Sequence, residues 1–222
     1  MPLPEYVGND VVDLDDPAIV EHHSNRRFVP RVCALEEQHA LARAADQKAH
    51  LWSLFAAKEA AFKLAVKRLG PLAFAHRAFV VSDDFSAVRY AEHRFPLSLA
   101  TGPGWLHALV STASAVFCVE LLQGETPGAT AREALSALVA RVSRLSRARL
   151  RVERERSHGS WDGLGPPRLV CGKRAAAIDV SLSHDGRFVA AAAIVRASAS
   201  QNASAHSRKQ PVEIDVPSGE RP

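Results

Sequence analysis

The sequence predicts an α+β fold built as two pseudo-symmetric halves. Three observations predict it. Apolar residues from Leu35 to Leu69 recur at helical spacing and stop at Gly70-Pro71. Short strand-like runs follow, separated by turn residues. After residue 130 a second helical run and further strand-like runs appear, as if one unit had been written twice.

Taken in order, the chain opens with Val7-Gly8-Asn9-Asp10-Val11-Val12-Asp13-Leu14, a short apolar strand with an acid soon after a glycine turn. The helical run to Leu69 contains the alanine-rich stretch Phe55 to Lys63. Strands are expected at Ala78 to Ser82 and Val88 to Tyr90, and from Leu106 to Leu122 behind the Gly102-Pro103-Gly104 turn, with a long surface loop from Ser82 to Gly104. Gln123 to Thr130 reads as a linker, Ala131 to Leu145 as the second helix, and Leu150 to Arg154 as a half-buried strand. A last strand follows Ser181-Leu182-Ser183-His184. The repeat aligns Ala57-Lys58-Glu59-Ala60 with Ala131-Arg132-Glu133-Ala134, and residues 110–117 with 182–189, which sets Thr112 opposite His184. The expected division is 1–123, 124–196 and a disordered tail at 197–222, where polar residues dominate without apolar periodicity.

Composition bounds the function classes. With 222 residues and 47% hydrophobic content, the chain can bury a real core. Cys33, Cys118 and Cys171 are far apart and give neither a disulfide framework nor a zinc spacing, so a reducing, cytoplasmic setting is expected. No apolar run reaches the roughly 18 residues of a membrane span, and no membrane partner is expected. A net charge of +4 favours acidic partners and phosphate-bearing ligands. Arginines crowd between Arg132 and Arg156, where they form either a solvated face or a docking surface for an acidic helix. A nucleic-acid role is disfavoured by the interleaved Glu153 and Glu155 and by the lack of interleaved aromatics.

Glu59 and Lys63 stand one helical turn apart and share a face. On spacing alone that is an ordinary surface ion pair. Three segments together say more: Gly8-Asn9-Asp10, Phe55-Ala56-Ala57-Lys58-Glu59-Ala60-Ala61-Phe62-Lys63, and Ser181-Leu182-Ser183-His184. They resemble, in order, the three signature segments of the 4'-phosphopantetheinyl transferases, and the order is that of the short, holo-acyl-carrier-protein-synthase type. Arg27-Phe28-Val29-Pro30-Arg31-Val32 and Gly165-Pro166-Pro167-Arg168-Leu169 resemble further stretches of that family.

The resemblance implies transfer of 4'-phosphopantetheine from coenzyme A to a serine of an apo carrier protein, whether acyl, polyketide or peptidyl, releasing adenosine 3',5'-bisphosphate. It implies Mg2+ held by Asp10 and Glu59, Glu59 also as a base for the serine, and Lys63 neutralising charge on the pyrophosphate. Coenzyme A phosphates are expected at His184 and Ser183. Lys58, about 100° round the helix from Glu59, is expected at phosphate or solvent. Arg27 and Arg31 either bind the 3'-phosphate or flank a helix. Short-type members share one site between subunits, so a fused pair keeping Asp10, Glu59 and Lys63 in one half and His184 in the other implies a monomeric pseudo-dimer with one site.

The chain departs from the family pattern at Val12, where the longer type has a second acid and water must here complete the metal site. It departs again at Pro166, in a lysine position, and at Asp185, which puts negative charge beside the histidine. A catalytically silent binder of coenzyme A or carrier is the other reading these motifs admit.

Overall fold

The computed structural model describes residues 4–19, 21–124, 126–157 and 163–194; the tail expected at 197–222 lies outside them. Strand β1 (Val7–Asp13) is followed by α1 (Val29–Val32), α2 (Leu35–Arg43), α3 (Gln47–Leu69), β2 (Phe79–Val81), β3 (Ala87–Tyr90), β4 (His93–Gly102) and β5 (Trp105–Ser111). These strands form an antiparallel sheet in the order β1-β5-β4-β3-β2. The second part comprises β6 (Ala115–Leu121), α4 (Pro127–Val142), β7 (Leu150–Glu153), β8 (Arg168–Cys171), β9 (Arg174–Ala175), β10 (Val180–Asp185) and β11 (Phe188–Ile194). It holds one sheet of order β10-β11-β6 and a small one of order β7-β8-β9.

Two apolar faces on β1 set the layering. Val7 packs with Ala192 and Ile194, and Val11 with Phe188 and Ala190, so one face of the first sheet lies on the second sheet. Val12 on the other face joins Ala60, Ala61 and Leu64 of α3 in the main core. The far side of β11, through Ala191 and Ala193, is covered by Ala134, Leu135, Leu138 and Val139 of α4. The layers therefore run α3, first sheet, second sheet, α4.

Several boundaries differ from the sequence reading. The helical run is split because Asp46 caps α3, its side chain accepting from the Ala49 amide at 2.8 Å. Gly70, at φ +93°, ends α3 as expected. The strand expected at Val88 to Tyr90 is β3, but the rest of the stretch taken for a loop at 82–104 holds the ten-residue β4. Pro96 obscured β4; the Leu97 amide makes the neighbouring bond to the Ser86 carbonyl, and Phe95 and Leu97 turn into the core. The run from Leu106 to Leu122 breaks after Ser111, where Thr112 and Tyr6 bond each other. From there β6 pairs with β11, so the two sheets divide the chain between Ser111 and Ala115 and not at 123.

The strand registers show what matches what. β1 pairs with β5 from Val7↔Ser111 to Asp13↔Trp105, and β6 with β11 from Ala115↔Ile194 to Leu121↔Phe188. Both hairpins turn through two residues, Pro103-Gly104 inside the Gly102↔Trp105 pair and Gly186-Arg187 inside Asp185↔Phe188. Matching these registers sets Cys118 at the place of Asp10, Val116 at Gly8 and Thr101 at His184. The alignment that set Thr112 opposite His184 was out of step, because Thr112 lies past the end of β5.

Candidate active site

Gly8 brings the site together. It lies within β1, not in a turn, and a Cβ there would sit 2.0 Å from the Ala60 carbonyl oxygen and 2.9 Å from the Leu64 amide. Glycine is required because the α3 backbone touches the strand. Two residues on, and on the same face, Asp10 is thereby presented to α3. The Lys63 ammonium donates to Asp10 Oδ1 at 2.8 Å and to the Asn9 carbonyl at 3.0 Å. Glu59 stands one turn before Lys63 on the same helix.

The Asp10 side chain is 13% exposed. Burial pushes its carboxyl up to about 6; Lys63 works against that shift, and the Glu59 carboxylate adds to it. Asp10 thus holds the Lys63 ammonium and feels the nearby Glu59 carboxylate as a like charge, an arrangement that favours a further cation. Among the described residues no group of three or more His, Cys, Asp or Glu could hold a metal. Asp10 and Glu59 still offer the hard oxygens Mg2+ prefers, provided phosphate oxygens and water complete the shell, as is usual for that ion.

Asp13 faces away from Asp10, as alternation requires. Arg187 grips it through Nε to Oδ2 at 2.8 Å and Nη2 to Oδ1 at 2.7 Å, and these bonds hold its carboxyl down at about 2. The Asp13 amide donates to Asp185 Oδ2 at 2.8 Å. Asp13 therefore clamps the end of β1 to the β10–β11 turn and takes no part in the Asp10 site.

Lys58 corrects an expectation. It meets neither phosphate nor solvent but is fully buried, donating to Glu37 Oε2 at 2.6 Å, to the Phe79 carbonyl at 2.6 Å and to the His76 carbonyl at 3.2 Å. The 100° step from Glu59 turns it into the core, where burial depresses its pKa and Glu37 opposes the shift. Glu37 also accepts from the Ala34 and Val81 amides, so one carboxylate joins α2, α3 and β2. His76 was not picked out from sequence, and Glu37 only as part of a helix start; their contacts with α3 are tertiary and leave no local pattern.

Ser181, Ser183 and Asp185 turn toward β1. The Asn9 amide donates to Ser181 Oγ at 3.0 Å and its side-chain amide to Ser183 Oγ at 3.3 Å. Ser183 is thus held against the neighbour of Asp10. His184 has the opposite parity and is exposed at the end of β10. Lys67, also missed, is buried where the halves meet, donating to the Val7 and Val180 carbonyls at 2.6 Å and to Asp179 Oδ2 at 2.9 Å. Arg27 and Arg31 are exposed beside Phe28, whose ring lies against Trp52 and Phe55 of α3.

The arginine-rich region is on the far outer layer. Arg132, Arg147 and Arg151 rim a cleft of about 710 Å³ floored by Leu150 and Val152, with Arg147 paired to Glu133 at 2.8 Å. Arg168 pairs with Glu155. An ion-paired, solvated face accounts for these contacts, and two sheets separate it from Glu59.

Residues 6–107 match the family model described as the 4'-phosphopantetheinyl transferase superfamily. Among solved structures the chain is similar to the holo-[acyl-carrier-protein] synthase of Thermotoga maritima, at 16% identity and a TM-score of 0.34, covering 77% of this chain and 84% of that one. No curated protein matches. The segment matched by the family model includes β1 and α3, hence Asp10, Glu59 and Lys63.

Proposed function

We propose that this protein transfers the 4'-phosphopantetheine group of coenzyme A to a serine hydroxyl of an apo carrier protein, releasing adenosine 3',5'-bisphosphate. The observation that carries the reading is the meeting of Asp10 and Lys63 across the β1–α3 contact, beside Glu59 and within the segment matched by the family model.

The serine oxygen attacks the β-phosphorus of coenzyme A, and the bond to the bridging oxygen of the pyrophosphate breaks. Little covalent chemistry falls to the protein, which must position the groups and balance charge. Lys63 is 30% exposed, enough to reach from Asp10 toward a phosphate oxygen and offset negative charge on the leaving group. Glu59 is 24% exposed and can accept the serine proton once that hydroxyl is bound. Asp10 and Glu59 would hold Mg2+, which when bound neutralises pyrophosphate charge. Ser183, His184, Arg27 and Arg31 stay with the reading as contacts for coenzyme A. Lys58 does not, because its ammonium already has three acceptors.

The same reading gives one site per chain, working without a second copy. At the place of Asp10 the second half has Cys118, whose thiol burial pushes up to about 11, and its Glu133 is exposed and paired with Arg147. No described helix is long and apolar enough to cross a membrane.

The test is intact-mass spectrometry of apo acyl, polyketide and peptidyl carriers incubated with the protein, coenzyme A and Mg2+, beside Glu59→Gln. The expected result is a gain of one phosphopantetheine that is lost with chelator and in the variant. Coenzyme A binding with no gain on any carrier would favour the silent reading, and absence of both would refute the assignment.

A further inference from the structure

We infer that His76 is a positioning residue for Glu59, its imidazole setting which way the carboxylate is turned toward the reacting groups. This rests on the transferase reading above. His76 Nε2 lies 3.6 Å from Glu59 Oε1. That nitrogen is buried and has no hydrogen-bond partner among the described residues. Such an orphan is unfavourable unless it bonds in the working state, and catalytic hydrogen bonds often tighten only when substrate is present. Closing 3.6 Å to bonding distance needs only a small turn of the Glu59 side chain.

The ring itself has little freedom. It is packed between Phe55, at 4.9 Å between centroids, and Phe74, at 4.2 Å. Its backbone carbonyl is held by the Lys58 ammonium. Phe55 lies one turn before Glu59, and Lys58 is its immediate neighbour. Two residues of α3 thus fix an imidazole from the following 3-10 turn, His76–Ala78, over a third.

A glutamate has three side-chain torsions, and leaving them free dilutes the one orientation that serves both metal and serine. An N–H at Nε2 would bond Oε1 and leave Oε2 for the reaction. Outer partners that orient a metal-binding carboxylate in this way are typically worth about 10–100-fold in affinity or rate.

The experiment compares wild type, His76→Phe, which keeps a ring between Phe55 and Phe74 but removes both nitrogens, and His76→Gln, which restores an amide donor. Carrier modification gives kcat, calorimetry gives the coenzyme A dissociation constant, and electron paramagnetic resonance gives Mn2+ affinity with coenzyme A present. The expected result for His76→Phe is a fall of about 10–100-fold in kcat and weaker Mn2+ binding, with coenzyme A affinity and melting temperature unchanged. His76→Gln should recover much of the loss. A His76→Phe kcat within twofold of wild type overturns the inference, as does equal loss in both variants with lowered melting temperatures, which would mean packing. Should His76→Phe not fold, His76→Leu in wild-type and Glu59→Gln backgrounds decides: a loss of Mn2+ affinity that needs Glu59 supports the inference, and no loss or one independent of Glu59 overturns it. A wild type that neither modifies a carrier nor binds coenzyme A overturns the transferase reading itself, and this inference with it.

Discussion

Replacing Asp10 with asparagine is expected to stabilise the protein in the absence of metal at pH 8 while abolishing transfer. In the folded chain burial, with help from Glu59 and against Lys63, lifts the carboxyl from its ordinary 3.8 to about 6. A folded value above the unfolded one means that the folded state binds the extra proton between those two values. Stability therefore falls as pH rises through that window, and the penalty is complete above it. At about 1.4 kcal/mol per pH unit, holding Asp10 ionised at pH 8 costs about 3 kcal/mol. Asparagine resembles the neutral carboxyl, and imperfect fit takes back about 1 kcal/mol. The net gain of about 2 kcal/mol corresponds to a melting temperature raised by about 4–8 °C in a chain of this size. The assay is thermal unfolding followed by circular dichroism, with chelator, at pH 8 and pH 4.5. The gap should be present at the first and mostly closed at the second. Added Mg2+ and coenzyme A should raise the melting temperature of wild type and not of Asp10→Asn. A variant that melts at or below wild type at pH 8, or a gap of the same size at both values, would refute the reasoning.

Gly8→Ala drives a methyl into the α3 backbone at 2.0 Å, which cannot yield as a flexible side chain would. A loss at the upper end of overpacking costs, about 3 kcal/mol, should appear as a melting temperature lowered by about 6–12 °C, with transfer lost as α3 moves off Asp10; an unchanged melting point would count against the contact. Lys58→Met leaves Glu37 buried without its cation and should cost about 3–5 kcal/mol in denaturant unfolding, partly recovered by adding Glu37→Gln. Coenzyme A affinity should stay the same in whichever of these variants folds, whereas a marked loss would return Lys58 to the phosphate contacts.

What the sequence made legible was local. Glu59 and Lys63 are one turn apart and Gly8 and Asp10 two residues apart, so each pair shares a face by geometry alone. Nothing local joins one pair to the other across half a hundred residues; the motif order did that, and the structure supplies the reason in the clearance left by Gly8. The role of Lys58 was illegible for a related reason. On α3 the residues Leu54, Ala56, Ala57, Lys58, Ala60 and Ala61 are all buried, so periodicity gives no inner side to contrast with an outer one. The partner that decides the matter, Glu37, is 21 residues away. β4 was hidden by Pro96, and the repeat was misread because Pro103-Gly104 and Gly186-Arg187 take the same two-residue place in their hairpins without sharing a sequence.

The neighbours Lys58 and Glu59 show how one dipeptide does two jobs. The first turns inward and, through Glu37 and the His76 carbonyl, holds the segment that follows the helix. The second turns toward the site, and the segment held by the first brings an imidazole to it. The second half of the chain contributes differently. Its registers repeat those of the first, yet Cys118 stands at the place of Asp10. Its duty to the site is to cover: Val7 and Val11 pack on β11, Asn9 is bonded to Ser181, and Asp13 is gripped by Arg187. All four lie on the face of β1 that looks away from α3. Removing the second half would expose that face and free the strand that carries Asp10, so the first half alone holds the groups of the proposed site without the means to keep them in place.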